Sequence, residues 1–313
     1  MRYDLLGSTN LKVSVVSLGT WVMGGDNWGK VDDYESIASI QKAIALGINL
    51  IDTAPAYGDG HAEEIVGKAI KGNRDKVFIA TKCGLRKKEG GFAHDLSPSG
   101  IQKELEDSLL RLGIDYIDLY QCHWPDPMTP IETTLEEMLK MRSEGKINHI
   151  GVSNFDQPLL EKALRVAPVV SLQSHYSMLE RMIEKNHLME FCNKNGVGIM
   201  TYGSLGGGLL TGKYKNRPTF SKKDARRFFY PFYNEQEWKR HYGFVEAIRK
   251  IAQEKKKPLV EVALNWLIQQ AGVTTALVGA RNREQVEKNA QAIQWELSES
   301  DLVQIEKIYH NFF

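Results

Sequence analysis

The chain has 313 residues, 42% hydrophobic and 25% charged, with a net charge of +1. This is an ordinary globular balance, and it excludes a broad electrostatic footprint for nucleic acid or an anionic membrane. Three widely spaced cysteines, Cys83, Cys122 and Cys192, show no pairing pattern and suit a reducing, cytoplasmic interior.

The N-terminus, "MRYDLLGSTNLKVSVVSLGT", is too interrupted by polar residues for a signal peptide, and no run reaches membrane-spanning length. Its first dozen residues read as a short hairpin turning at "GSTN". Eight apolar runs rich in Val and Ile follow: "VSVVSLGT", "INLIDTA", "KVFIATK", "YIDLYQCH", "INHIGVSN", "VVSLQSHY", "VGIMTYGS" and "TTALVGA". Near-continuous hydrophobicity marks strands covered on both faces. Helical patterns lie between them. "DYESIASIQKAIALG" puts Ile37, Ile40 and Ile44 on one face and stops at Gly47. "LSPSGIQKELEDSLLRLG" starts at Ser97-Pro98, carries Leu105, Leu109 and Leu112, and stops at Gly113; "TPIETTLEEMLKMRSEG" repeats the plan from Thr129-Pro130 to Gly145.

Strands alternating with helices imply right-handed crossovers and a parallel sheet, and eight such units close into a (β/α)8 barrel. The predicted fold is α/β: one TIM barrel domain over residues 1–313, with the hairpin over the barrel floor and extra C-terminal helices. The segment from Lys213 to Glu237 follows the seventh strand and is polar, basic and aromatic, so it is expected to act as a lid over cofactor or substrate. The basic clusters Arg86-Lys87-Lys88 and Lys255-Lys256-Lys257 read as solvated loop or helix-end charges.

In such a barrel the active site lies at the C-terminal mouth of the strands. The polar residues there are Thr20, Asp52, Lys82, His123, Ser153-Asn154, Gln173 and Tyr202 to Ser204, followed by the Gly279-Ala280-Arg281 turn. Asp52 and Lys82 end neighbouring strands, so their side chains can meet, and Tyr57 can curl back over them. An ammonium beside a phenol favours the phenolate and is expected to lower the tyrosine pKa from about 10 toward neutrality. His123 can donate to the same oxygen site, which makes the group suited to protonating a carbonyl oxygen as it becomes an alkoxide. Trp21, Trp28 and Trp124 follow strand ends and are expected to form an aromatic substrate rim with Tyr57; core packing is the rival reading of Trp28.

The segments "SLGTW", "IDTAPAYG", "ATK", "YIDLYQCHWPD", "GKINHIGVSNF", "GSLGGGLLTGKY" and "GARNREQVEKN" occur in order along essentially the whole chain. Together they resemble the aldo-keto reductase family, in its bacterial general-stress and inositol-operon branch, related to the β-subunits of voltage-gated potassium channels. The resemblance implies a catalytic tetrad at Asp52, Tyr57, Lys82 and His123, and a nicotinamide cofactor lying across the mouth. It implies that Thr20, Trp21 and Asp52 lie beside that cofactor, and that Ser153, Asn154 and Gln173 bind its carboxamide while Tyr202 stacks on its ring. By the same likeness Gly203, Ser204, Leu205 and Gly207 belong to a loop around the pyrophosphate, closed by Lys213 and Arg226 or its neighbour Arg227. Gly279, Arg281, Gln285 and Asn289 would receive the adenosine end. Arg281, read as opening a helix, argues for NADPH or NADP+ over NADH.

The implied activity is reversible reduction of aldehydes and ketones, with a small carbonyl compound as partner, no metal, and no obligatory protein partner. The alternative is an NADPH-binding redox sensor of the same fold with slow turnover. "GGLLTGKY" nearly fits a phosphate-binding Walker loop, but Tyr214 stands where a Ser or Thr hydroxyl is required. No Rossmann fingerprint opens a first βα unit. A glycosidase pair of strand-end carboxylates and a histidine cluster for metal are likewise missing from the pattern.

Overall fold

The eight apolar runs close a barrel in the computed structural model, which describes residues 1–88 and 91–313. Tyr3–Leu5 (β1) and Lys12–Ser14 (β2) pair antiparallel as the N-terminal hairpin. The barrel begins with Val16–Gly19 (β3), Leu50–Asp52 (β4) and Phe78–Cys83 (β5). After it come Leu85–Lys88 (β6) and Gly91–His94 (β7), then the barrel strands Ile117–Cys122 (β8), Ile147–Ser153 (β9), Val169–His175 (β10), Gly198–Tyr202 (β11) and Val273–Gly279 (β12). All barrel pairings are parallel, and β12 closes on β3.

Leu6 and Val13 are fully buried against Leu50, Ala80, Leu119, Val170, Met200 and Leu277. Those six come from six different barrel strands, so the hairpin plugs the floor from within. This leaves the opposite, C-terminal end of the barrel for chemistry.

The outer layer consists of Asp33–Ala45 (α1), His61–Ile70 (α2), Pro98–Leu112 (α3), Ile131–Ser143 (α4), Gln157–Leu164 (α5), Met182–Lys185 (α6) and Leu188–Lys194 (α7). It continues through Ala225–Phe229 (α8), Glu235–Glu254 (α9), Leu259–Ile268 (α10), Arg283–Gln291 (α11) and Glu299–Phe312 (α12). Ser97 caps α3 by accepting from the Gly100 amide at 3.2 Å, and Gly113 ends it in the left-handed conformation. The C-terminal α12 packs on α9, with the Phe244 and Phe312 rings 6.1 Å apart. No helix among the described residues is long and apolar enough to cross a membrane.

Two segments depart from the sequence expectations. Residues 85–88 are the first strand of a hairpin, β6–β7, that rises from the mouth after β5. Arg86 is therefore not a solvated loop charge: it donates to Glu104 Oε1 at 3.3 Å and to the Gly100 carbonyl at 2.8 Å. The segment after β11 lies over the mouth, tied down where the Ala225 amide donates to the Asn27 carbonyl at 2.8 Å. Its last residues, from Glu235 on, already belong to α9.

Candidate active site

Barrel register decides which strand ends meet. Asp52 pairs across to Ala80, and Lys82, two residues further along β5, pairs with Gln121. Alternation along β5 sends the Lys82 side chain into the barrel, where it is 0% exposed. Its Nζ donates to Asp52 Oδ1 and Oδ2 at 2.9 and 2.8 Å, to the Thr53 carbonyl at 2.9 Å and to Tyr57 Oη at 3.0 Å. An ammonium has three protons, and these three partners take all of them. Because Tyr57 Oη accepts from Lys82, its own proton must be directed elsewhere, and the mouth is the open side. That arrangement makes the phenol a hydrogen donor toward whatever occupies the mouth.

Asp52 is held from two further strands. Gln173 Nε2 donates to its Oδ1 at 2.7 Å and Gln121 Nε2 lies at 3.5 Å. Gln173, which the family resemblance assigns to a cofactor carboxamide, thus bonds the carboxylate behind the tyrosine through its Nε2. Gln121 was not singled out from sequence, and only the barrel register reveals it.

Burial shapes the electrostatics. It pushes the Tyr57 phenol well above its ordinary value near 10, and the Asp52 charge adds to the rise. The expected fall toward neutrality is thus not met. Desolvation also lowers the Lys82 ammonium pKa, against the opposing pull of Asp52. His123 is held well below its usual value by burial, with the Lys82 charge and His94 adding to the effect. It is a neutral imidazole, able to donate one hydrogen bond, and its ring lies edge-on to Tyr57 at 5.9 Å. Asp126, a rival partner for His123, instead accepts from the Leu96 and Met128 amides and from Thr129.

Around this group stands an aromatic wall. Trp21 stacks on Tyr57 at 6.1 Å and meets Trp28 edge-on at 5.2 Å. Phe229, from the segment after β11, packs on Trp21 at 5.4 Å. Trp28 is 8% exposed, so it backs the rim more than it lines it, whereas Trp124 remains half-buried. Asn154 adopts φ 62, a left-handed conformation that is costly for a residue with a side chain. Its Nδ2 donates to the His123 carbonyl and to Ser153 Oγ, both at 3.0 Å, and its Oδ1 accepts from Tyr202 Oη at 2.7 Å. These bonds lock the strand ends bearing His123, Ser153 and Tyr202 together.

A model of the Aldo/keto reductase family matches residues 15–310. The chain belongs to the aldo/keto reductase family. It is 40% identical to aldo-keto reductase YhdN of Bacillus subtilis, over 99% of this chain and 94% of that protein. It is 35% identical to the NADH-specific methylglyoxal reductase of Escherichia coli, with 96% of each chain covered. Among solved structures it superimposes on the glycerol dehydrogenase AKR11B4 of Gluconobacter oxydans with a TM-score of 0.90 and 36% identity, covering 99% of this chain and 95% of that one.

Members of the aldo/keto reductase family use nicotinamide cofactors, and the other residues assigned to one fall along a single side of the mouth. Thr20 is buried and donates to the Asp52 carbonyl at 3.0 Å. Beyond Tyr202 and Gly203, Ser204 is tied to the Leu277 carbonyl at 2.8 Å, and Leu205 leads into a turn in which Gly206, Gly207 and Gly208 all have positive φ. A Cβ on Gly208 would stand 3.1 Å from Lys213 Nζ, so a lysine already sits over bare backbone, a cradle that fits a pyrophosphate. Arg226 is turned inward, bonded to Asp224 and to Tyr214 Oη at 3.0 Å, while Arg227 is exposed; the inward one is suited to close the groove. Gly279 packs against Val22, and Asn289 lies on the buried face of α11.

Arg281 does not open the helix. Asn282 caps α11, and Arg281 precedes it, donating its guanidinium to the Trp28 carbonyl and its amide to Gln285 Oε1 at 2.9 Å. The structure also joins two thiols that the sequence left apart: Cys83 and Cys122 are register partners on β5 and β8, both buried.

Proposed function

We propose that this protein reduces aldehydes and ketones to alcohols, reversibly, with Tyr57 as the proton donor. The observation that carries the reading is the buried Lys82 ammonium, whose contacts leave the Tyr57 hydroxyl proton directed to the mouth. A bound nicotinamide cofactor would supply or accept the hydride at the carbonyl carbon. Tyr57 hands its proton to the carbonyl oxygen, and the phenolate left behind faces Lys82 Nζ at 3.0 Å. The cation therefore stabilises the charge that develops, even though the resting phenol is hard to ionise. His123, neutral and buried, donates to the same oxygen and orients the carbonyl. The tryptophans and Phe229 exclude water from the reacting carbon, which strengthens each of these interactions.

NADPH is the proposed cofactor. Arg281 shares with Lys30 a cavity of about 260 Å³ beside the start of α11, where a phosphate would find two cations. Glu35, in the same cavity, is already paired with Arg283 at 3.2 Å. The segment from Lys213 acts as the lid, bringing Lys213 and Arg226 over the bound cofactor. We place the protein in the cytoplasm, acting on a small carbonyl compound. Steady-state oxidation of NADPH and of NADH with a panel of small aldehydes tests the reading. Many turnovers with NADPH are expected; a single slow turnover with the cofactor retained would replace the enzyme by a redox sensor.

A further inference from the structure

Tyr57 and Lys82 belong to separate pieces of chain, a loop and a strand, and their 3.0 Å contact depends on how those pieces are held. On the outer side of β5 stands a buried carboxylate that the reaction does not touch. Lys82 points into the barrel, so its neighbour Thr81 faces the helical layer, where its hydroxyl donates to Glu63 Oε1 at 2.6 Å. Glu63 lies in the first turn of α2 and is 0% exposed. Its other oxygen, Oε2, accepts at 2.7 Å from Nε of Arg111, in the last turn of α3.

The same residues reach the loop that carries the phenol. The Ala62 amide donates to the Tyr57 carbonyl at 3.2 Å and the Gly60 amide to the Pro55 carbonyl at 2.7 Å, so this loop and the first turn of α2 form one hydrogen-bonded unit. Arg111 lies directly on Gly60, where a Cβ would fall 2.6 Å from the arginine Cδ. Glu63 therefore joins β5 through Thr81, α3 through Arg111 and, by its place on α2, the turn bearing Tyr57. A buried ion pair adds little net stability over an apolar contact of the same size. What it adds is direction, because each carboxylate oxygen takes one short hydrogen bond from a fixed side. After the desolvation that lowers the Lys82 pKa and the opposing pull of Asp52, the Glu63 charge also favours the ammonium.

We infer that Glu63 is a positioning residue for the reaction: through Thr81 it sets Lys82 against the loop of Tyr57, and so keeps ammonium and phenol in contact as the proton leaves. This rests on the carbonyl-reductase reading of the mouth and adds a residue outside it to the machinery. Misplacement of a reacting group by about 1 Å can slow a reaction about 10²-fold. A glutamine at position 63 has one acceptor oxygen, so it can satisfy Thr81 or Arg111 but not both.

The test is single-turnover oxidation of NADPH already bound to the protein, after mixing with saturating propanal, in wild type, Glu63→Gln, Thr81→Val and Thr81→Ser. NADPH affinity is read separately by fluorescence titration. Glu63→Gln and Thr81→Val should each slow the turnover about tenfold or more while NADPH affinity stays within about threefold of wild type. Thr81→Ser keeps the hydroxyl and should react as wild type does. The double variant Glu63→Gln/Thr81→Val should be little slower than either single one, because both break the same link. Thr81→Val preserves the side-chain shape, so it decides the matter if Glu63→Gln folds poorly. An unchanged rate in Thr81→Val, or equal losses of rate and NADPH affinity in Thr81→Val and Thr81→Ser alike, overturns the inference while leaving the reductase reading intact. A wild-type protein that oxidises bound NADPH with no small aldehyde would remove both.

Discussion

Replacing Lys82 by methionine, which is similar in length but uncharged, exposes the energetic core of the site. The lysine is 0% exposed and Asp52 is 3% exposed, so the substitution leaves a buried carboxylate with Gln173 at 2.7 Å and Gln121 at 3.5 Å as its remaining side-chain donors. Removing one partner of a buried pair costs about 3–5 kcal/mol. At about 2.1 cal/mol/K per residue, a chain of this length loses about 5–8 °C of melting temperature. Asp52 then relieves the strain by taking up a proton, so its folded pKa rises above the unfolded value near 4. A raised carboxylate pKa means that the native state binds more protons, and Lys82→Met should regain stability relative to wild type as pH falls through that window. The slope is at most about 1.4 kcal/mol per pH unit. Urea unfolding of Lys82→Met and of Lys82→Met/Asp52→Asn between pH 4 and 8 is the assay. The double variant should recover most of the loss at neutral pH. A single variant destabilised by less than about 1 kcal/mol, with no pH dependence beyond wild type, would refute the buried-pair reasoning.

Two other outcomes follow from the site. Since burial holds His123 neutral and keeps the Tyr57 phenol protonated beyond its ordinary range, kcat/KM for carbonyl reduction should stay flat between about pH 7 and 9; an inflection near 8 would contradict the assignment of Tyr57 as a resting, protonated donor. Arg281→Met should weaken NADPH binding, read by fluorescence titration, about tenfold or more while changing NADH binding little. Equal weakening of both cofactors would show that Arg281 acts through its bond to the Trp28 carbonyl instead.

Much of the site was legible because a parallel barrel sends every strand's C-terminal end to one mouth. Asp52, Lys82 and His123 could be placed there from strand order alone, and Tyr57 from its short distance along the chain. What sequence order does not carry is cross-strand register, and the missed contacts are register facts. Gln121 reaches Asp52 because it is the partner of Lys82, Cys83 meets Cys122 one step further along the same two strands, and His175 stacks on Tyr202 as its partner across β10 and β11. The bond from Gln173 Nε2 to Asp52 is a fact of the same kind, since chain position cannot show that the carboxylate lies within reach. The β6–β7 hairpin was read as loop because Arg86-Lys87-Lys88 carries no apolar alternation; its first strand is fixed by Arg86 reaching Glu104 and the Gly100 carbonyl on α3. The direction of the Tyr57 shift was misjudged for an energetic reason. Proximity of a lysine was weighed, but the desolvation that accompanies it was not.

The most direct measurement is the effect of Tyr57→Phe on turnover and on cofactor affinity, taken together. The phenyl ring preserves the stacking on Trp21 and removes only the hydroxyl that Lys82 holds. NADPH affinity should remain within about threefold of wild type while carbonyl reduction falls by about 10²–10⁴. Turnover within about tenfold of wild type, with the cofactor still bound, would show that the proton comes from elsewhere.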